Sequence, residues 1–116
     1  MEVYWMRTYK HKWEEHESYY INSDYGFCKV VVDDEPEQKI ATLYDLIVYP
    51  EYRKNGHGQE ILNEAIRCAT MEDCDILVCY PDCELWTMGW FKRNGFILDE
   101  TIEREFGYCE FVMKLK

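Results

Sequence analysis

Apolar and polar positions change their rhythm along the chain, and each change marks an element. Residues 27–32 (FCKVVV) are dominated by β-branched side chains and predict a strand. The charged stretch 33–38 (DDEPEQ), with Pro36, reads as a turn. Residues 39–49 (KIATLYDLIVY) read as a second, longer strand ended by Pro50, so the two form an antiparallel hairpin. The period then lengthens. Ile61, Leu62, Ala65, Ile66 and Ala69 fall on one face of a helix over 57–70, with Glu60, Asn63, Glu64 and Arg67 opposite. Residues 75–80 (DILVCY) form a short apolar run suited to a buried strand. Pro81 breaks it, and Asp82 is placed to cap a helix over 84–93 that Asn94-Gly95 ends. Residues 96–105 and 108–115 read as a closing C-terminal β-hairpin around Phe106-Gly107.

The N-terminal part is less periodic. Residues 3–9 (VYWMRTY) carry the aromatics of a strand, while 10–24, with Tyr19-Tyr20-Ile21, read as a short strand or an irregular segment. The order is strands, helix, strand, helix, strands. It predicts an α/β (α+β) domain whose mixed sheet is flanked by two main helices, with 39–49, 57–70 and 75–80 as one right-handed βαβ unit. At 116 residues the chain is expected to be a single domain, 1–116.

Composition narrows the function classes. The net charge of −10 disfavours a phosphate backbone, so nucleic acid is not expected as a partner; it suits solubility, or cations such as amines. No apolar run reaches the roughly 18 residues that span a bilayer, so no membrane partner is expected. Residues 1–12 lack the apolar core of a signal peptide, and the cytoplasm is the expected compartment. Six cysteines are scattered without a C-x-x-C pair, the closest being Cys79 and Cys83. That spacing argues for free thiols and no metal.

The segment that carries chemistry is Arg53-Lys54-Asn55-Gly56-His57-Gly58, between a strand and an amphipathic helix. Amides at a helix start point outward, and the helix dipole favours negative charge there. Glycines let a phosphate approach the main chain, and Arg53 and Lys54 add positive charge in an acidic protein. The spacing matches neither the dinucleotide fingerprint nor the P-loop. Taken alone, the loop is either a pyrophosphate site or a glycine turn leading into a helix.

Residues 46–58 (LIVYPEYRKNGHG) resemble the acetyl-CoA-binding motif of the GNAT superfamily of N-acetyltransferases, an apolar-x-Val-x-Pro strand end followed by R/Q-x-x-G-x-G/A. Residues 90–96 (WFKRNGF) resemble that family's late aromatic motif, and the likeness covers residues 39–116. It implies a GNAT-like fold whose sheet is splayed at the cofactor site between strands 39–49 and 75–80. It implies an acetyl-CoA-dependent transfer to a primary amine, on a small molecule, a lysine or an N-terminus, by direct attack in a ternary complex. The amides of Lys54, Asn55, Gly56, His57 and Gly58, with Arg53, would hold the pyrophosphate. The backbone at Ile47, Val48 and Tyr49 would pair with the pantetheine arm.

The sequence departs from the family pattern in places that bear on catalysis. Phe91 stands where many members carry a tyrosine acid, so it is expected to touch the cofactor without giving a proton. Thr42 stands where many carry a glutamate. Tyr80 or Tyr108 could replace the acid. Tyr44 shares the face of Thr42, whereas Asp45 points the other way unless a bulge re-aims it. Tyr44, Asp45 and Tyr80 are therefore the candidate catalytic residues. His57 reads as a helix-terminal side chain beside CoA. The alternative function is a degenerate GNAT-like domain that binds CoA or a protein partner without transfer. A metal or redox protein is a third reading, disfavoured by the cysteine spacing. The family's two helices after the first strand have little room in residues 10–26, which hold at most one short helix. The acceptor side is then either open to a protein or peptide amine, or completed by the second subunit of a homodimer.

Overall fold

A computed structural model of the chain describes residues 6–13, 16–81, 84–99, 105 and 107–116. Seven strands form one sheet: β1 (Met6–Trp13), β2 (His16–Ser23), β3 (Gly26–Asp34), β4 (Lys39–Val48), β5 (Ile76–Cys79), β6 (Ile97–Leu98) and β7 (Phe111–Lys114). Their order is β1-β2-β3-β4-β5-β7-β6. Helix α1 (His57–Met71) crosses from β4 to β5, and α2 (Leu85–Arg93) leads from β5 to β6. The pairs β1–β2, β2–β3, β3–β4, β5–β7 and β6–β7 are antiparallel, and β4–β5 is parallel, as the βαβ periodicity predicts.

The two N-terminal strands are a finding the sequence left open. Residues 10–13 continue β1 and 16–23 are β2, so a hairpin takes the place of the short helix for which the segment had room. The strand residues expected at 3–5 and 100–104, the turn residue Phe106, the Asp82 cap, and Cys83 lie outside the described residues. Glu84 holds the N-cap position of α2, without a side-chain cap bond. At its other end, Gly95 at φ 94° and the bonds from Gly95 N–H to Lys92 C=O and Phe96 N–H to Phe91 C=O form a Schellman stop.

Both helices lie on one face. Ile61, Leu62, Ala65, Cys68 and Ala69 of α1 pack with Ile21, Val30, Ala41 and Leu43, and Phe91 of α2 packs on Phe96 and Phe111. Four cysteines (Cys28, Cys68, Cys74 and Cys79) are buried free thiols serving as small apolar groups. Cys109 corrects the expectation of free thiols throughout, because it is disulfide-bonded.

A polar tie fastens the far end of α1 to the N-terminal hairpin. Glu72, at the helix C-cap, accepts a hydrogen bond from the Tyr19 hydroxyl and pairs with Lys10 at 3.0 Å. Burial opposes the charge on Glu72, but the bonds from Tyr19 and Lys10 prevail and hold the carboxyl at about 2. A depressed carboxyl stabilises the fold above its unfolded value of 4.5, and that contribution is lost as pH falls toward 2. Thermal melts across this window should therefore show a shallower acid limb in Glu72→Gln than in the unsubstituted protein. Parallel limbs would mean the tie adds no pH-dependent stability.

Candidate functional site

The site begins where β4 and β5 part. They pair from Ile40 and Ile76 to Leu43 and Cys79, and β4 then runs on to Val48 without β5 beside it. At this point β4 carries a bulge. Lys29 faces Tyr44 and Phe27 faces Ile47, so Asp45 and Leu46 together stand opposite Cys28. Asp45 takes φ 55°, a left-handed conformation that aspartate tolerates better than most residues. The extra residue reverses the alternation. Ala41 and Leu43 face the core before the bulge, and Leu46 and Val48 pack on it afterwards. Asp45, which plain alternation would bury, is exposed.

Beyond Val48 a 3-10 turn, Pro50–Tyr52, leads to the glycine loop. Lys54 and Gly56 both have positive φ, 70° and 82°, and Gly56 is the N-cap of α1. No side chain caps this helix start, and the first intrahelical bond runs from Glu60 N–H to Gly56 C=O. The amides ahead of Glu60 thus have no acceptor within the helix. His57 is held among protein groups. Its ring stacks on Tyr25 at 3.7 Å, and Nδ1 lies 3.1 Å from Glu60 Oε2. Arg53 folds back so that its Nε–H donates to Val48 C=O at 3.0 Å.

Strand end, loop and α2 enclose a groove of about 670 Å³. Ile47, Val48, Arg53, Lys54, Gly56, His57, Gly58 and Phe91, all marked in the sequence, line it together. Tyr49 and Asn55 stand beside it. The Tyr49 amide donates to Tyr25 C=O at 2.8 Å, and the Asn55 side chain donates to Arg53 C=O at 3.2 Å. The lining also includes Leu46, Tyr52, Gln59, Thr87 and Trp90. Of these, Trp90 could be read from its place in the late aromatic motif. Thr87, one turn earlier on α2, carried no sequence signal. Gly58 lies where α1 and α2 come together, and a Cβ there would stand in ordinary contact, 3.4 Å from the Trp90 ring and 3.5 Å from the Val48 side chain. Phe91 has no ionisable group and reaches the groove from within the core cluster.

Tyr44 and Tyr80 flank the parting on the face opposite the helices. They follow the last paired residues, Leu43 and Cys79, and both are exposed. Burial lifts the Tyr80 phenol above its ordinary 10.0, aided by the Glu110 carboxylate and by Tyr108 and Tyr44. Glu110 went unnoticed in the sequence because only the β5–β7 pairing brings it beside Tyr80. Among the described residues no group of histidine, cysteine and carboxylate side chains is placed to hold a metal, and no helix is long and apolar enough to cross a membrane.

Comparison with known proteins agrees with this architecture. The model of the acetyltransferase (GNAT) domain matches residues 13–98. An uncharacterized N-acetyltransferase, ycf52, of Gracilaria tenuistipitata var. liui is 24% identical over 74 residues, 64% of this chain and 38% of that protein's length. Among solved structures, a candidate acyl-CoA N-acyltransferase from Klebsiella pneumoniae subsp. pneumoniae superposes with a TM-score of 0.69 at 15% identity, over 89% of this chain and 74% of its own. A GNAT family acetyltransferase from Elizabethkingia anophelis, solved with acetyl-CoA bound, gives 0.65 at 10% identity, over 94% and 97%. At these identities the structural likeness is one of fold.

Proposed function

The chain belongs to the GNAT acetyltransferase family, and from that premise we propose that it is an acetyl-CoA-dependent N-acetyltransferase acting on a primary amine by direct attack in a ternary complex. The reading takes residues 1–116 as one domain. The observation that carries it is the groove, which joins a strand end open on its β5 side to a glycine loop at an uncapped helix start.

When bound, acetyl-CoA supplies the acetyl group as a thioester. Amides of residues 54–58 and the charges of Arg53 and Lys54 suit its pyrophosphate. The end of β4 at Ile47 and Val48 offers main-chain groups to the pantetheine arm, and Arg53 releases the Val48 carbonyl where the arm needs it. His57, clamped between Tyr25 and Glu60, holds the loop in shape and takes no part in proton transfer. Tyr80 keeps its proton at neutral pH and gives it to the departing thiolate. Water or the exposed Asp45 carboxylate takes the proton of the amine, and Tyr44 lines the acceptor side.

A thermal-shift titration with acetyl-CoA, beside NADH, tests the reading. A saturable rise in Tm specific to the CoA compound is expected, because a ligand bound only by the folded state stabilises it. No shift at millimolar acetyl-CoA would reduce the loop to a glycine turn. With an acceptor in hand, Tyr80→Phe should lower kcat by about 100-fold or more while sparing acetyl-CoA affinity. An unchanged kcat would remove Tyr80 from the mechanism. The second reading, a binding domain without catalysis, is favoured by Phe91 and Thr42, which supply neither acid nor carboxylate. Acetyl-CoA binding without thiol release across polyamines, aminoglycosides and lysine peptides would select it.

A further inference from the structure

The face of the sheet opposite the helices carries an aromatic cluster beside the parting of β4 and β5. The register shows how it forms. Thr42, Val78 and Val112 are paired across β4, β5 and β7, and so are Leu43, Cys79 and Phe111. The next row, Tyr44, Tyr80 and Glu110, shares the face of the first by alternation. Tyr108 completes it, with its ring 5.8 Å from Tyr80 in an edge-on arrangement. The tyrosines are 45% (Tyr44), 50% (Tyr80) and 45% (Tyr108) exposed, so the cluster opens to solvent.

We propose that Tyr44, Tyr80, Tyr108 and Glu110 form a recognition site for an organic ammonium group, and that the acceptor is a cationic alkylamine. The proposal rests on the acetyltransferase reading for its second half only. Ring faces attract a cation through their quadrupoles, and a carboxylate at the rim balances its charge. Edge-on rings present faces in different directions, which suits a tetrahedral ammonium better than a flat group. The same face already shows this contact within the chain: Lys29, the Cα partner of Tyr44, places its ammonium 5.4 Å from the centre of the Tyr20 ring, on the β2 side. The net charge of −10 draws cations to the protein as a whole, and the cluster gives them a place to stop. It sits one residue past the end of the β4–β5 pairing, so an amine held there stands beside the parting.

The test uses the whole chain with n-butylammonium chloride and 1-butanol, similar in shape but different in charge. Tyrosine ring signals are followed by NMR titration in the unsubstituted protein, Glu110→Gln and Tyr108→Leu. Saturable millimolar binding of the ammonium is expected, with the alcohol at least about tenfold weaker. Each substitution should weaken the ammonium by about fivefold or more. Circular dichroism and the acetyl-CoA thermal shift check that each variant is folded; should Tyr108→Leu fail to fold, Glu110→Gln decides. Equal binding of alcohol and ammonium, no saturable binding, or unchanged affinity in the folded variants would overturn the site. Ammonium binding without an acetyl-CoA response would leave the cation site standing and remove the acetyltransferase reading. The reverse pattern would overturn the cation site alone.

Discussion

Gly58→Asp is expected to abolish acetyl-CoA binding, lowering affinity by at least about 100-fold, or ~2.8 kcal/mol. Two effects add. The new Cβ makes ordinary contact with the Trp90 ring at 3.4 Å and the Val48 side chain at 3.5 Å, and takes up room in the groove that Gly58 lines. The carboxylate then stands at the helix start, where the proposal puts a pyrophosphate, and repels it. The fold itself should survive. An acidic residue in the first turn interacts favourably with the helix dipole, by about 0.3–1 kcal/mol. Calorimetric titration therefore separates the two: Gly58→Ala keeps only the steric part and should lose a few-fold, while Gly58→Asp loses nearly all binding with little change in the ligand-free Tm. Equal affinity in Gly58→Asp and the unsubstituted protein would sink the assignment of the loop.

The loop could be read in the sequence because its signal is local. The switch from a strand period to a helical one, with glycines at the switch, specifies β4, α1 and the turn between them. Asn94-Gly95 likewise ends α2 where its chemistry says it should. The N-terminal hairpin was harder because β1 is an edge strand whose positions 7–12 (RTYKHK) are mostly polar. Charged residues on an edge discourage pairing with other chains, and they also erase the apolar alternation by which strands are recognised. The bulge left no mark either. Bulges often announce themselves with glycine, and here an aspartate adopts the left-handed conformation. The row Tyr44, Tyr80 and Glu110 joins three strands far apart in the chain, so only the register could bring it together. Phe91 and Thr42 were visible as departures from a pattern, and their chemistry alone, a ring with no ionisable group and a hydroxyl in place of a carboxylate, removes them as acid and base; the structure adds that both are buried.

Gly26→Ala is expected to destabilise the protein by about 3 kcal/mol, at the upper end of what overpacking costs. Gly26 begins β3 opposite Val48, and a Cβ on it would lie 2.1 Å from the Ile47 carbonyl oxygen and 2.9 Å from Val48 Cα. Both are main-chain atoms, so no rotamer change relieves the clash and the strands must move apart. Gly56 and Gly107 differ in kind. A Cβ on either meets nothing within 4 Å, and their cost comes from positive φ, 82° and 76°. Alanine at those sites should cost about 1 kcal/mol. Gly26 also couples stability to the site, because the atoms it would displace belong to the strand end that lines the groove. Urea denaturation should thus show the larger loss for Gly26→Ala, and acetyl-CoA affinity should fall with it at temperatures where the variant is still folded. A loss of stability with unchanged affinity would mean that the groove tolerates movement of Ile47 and Val48, and that the loop alone holds the ligand. Unchanged stability would mean that β3 and β4 do not approach as closely as their register requires.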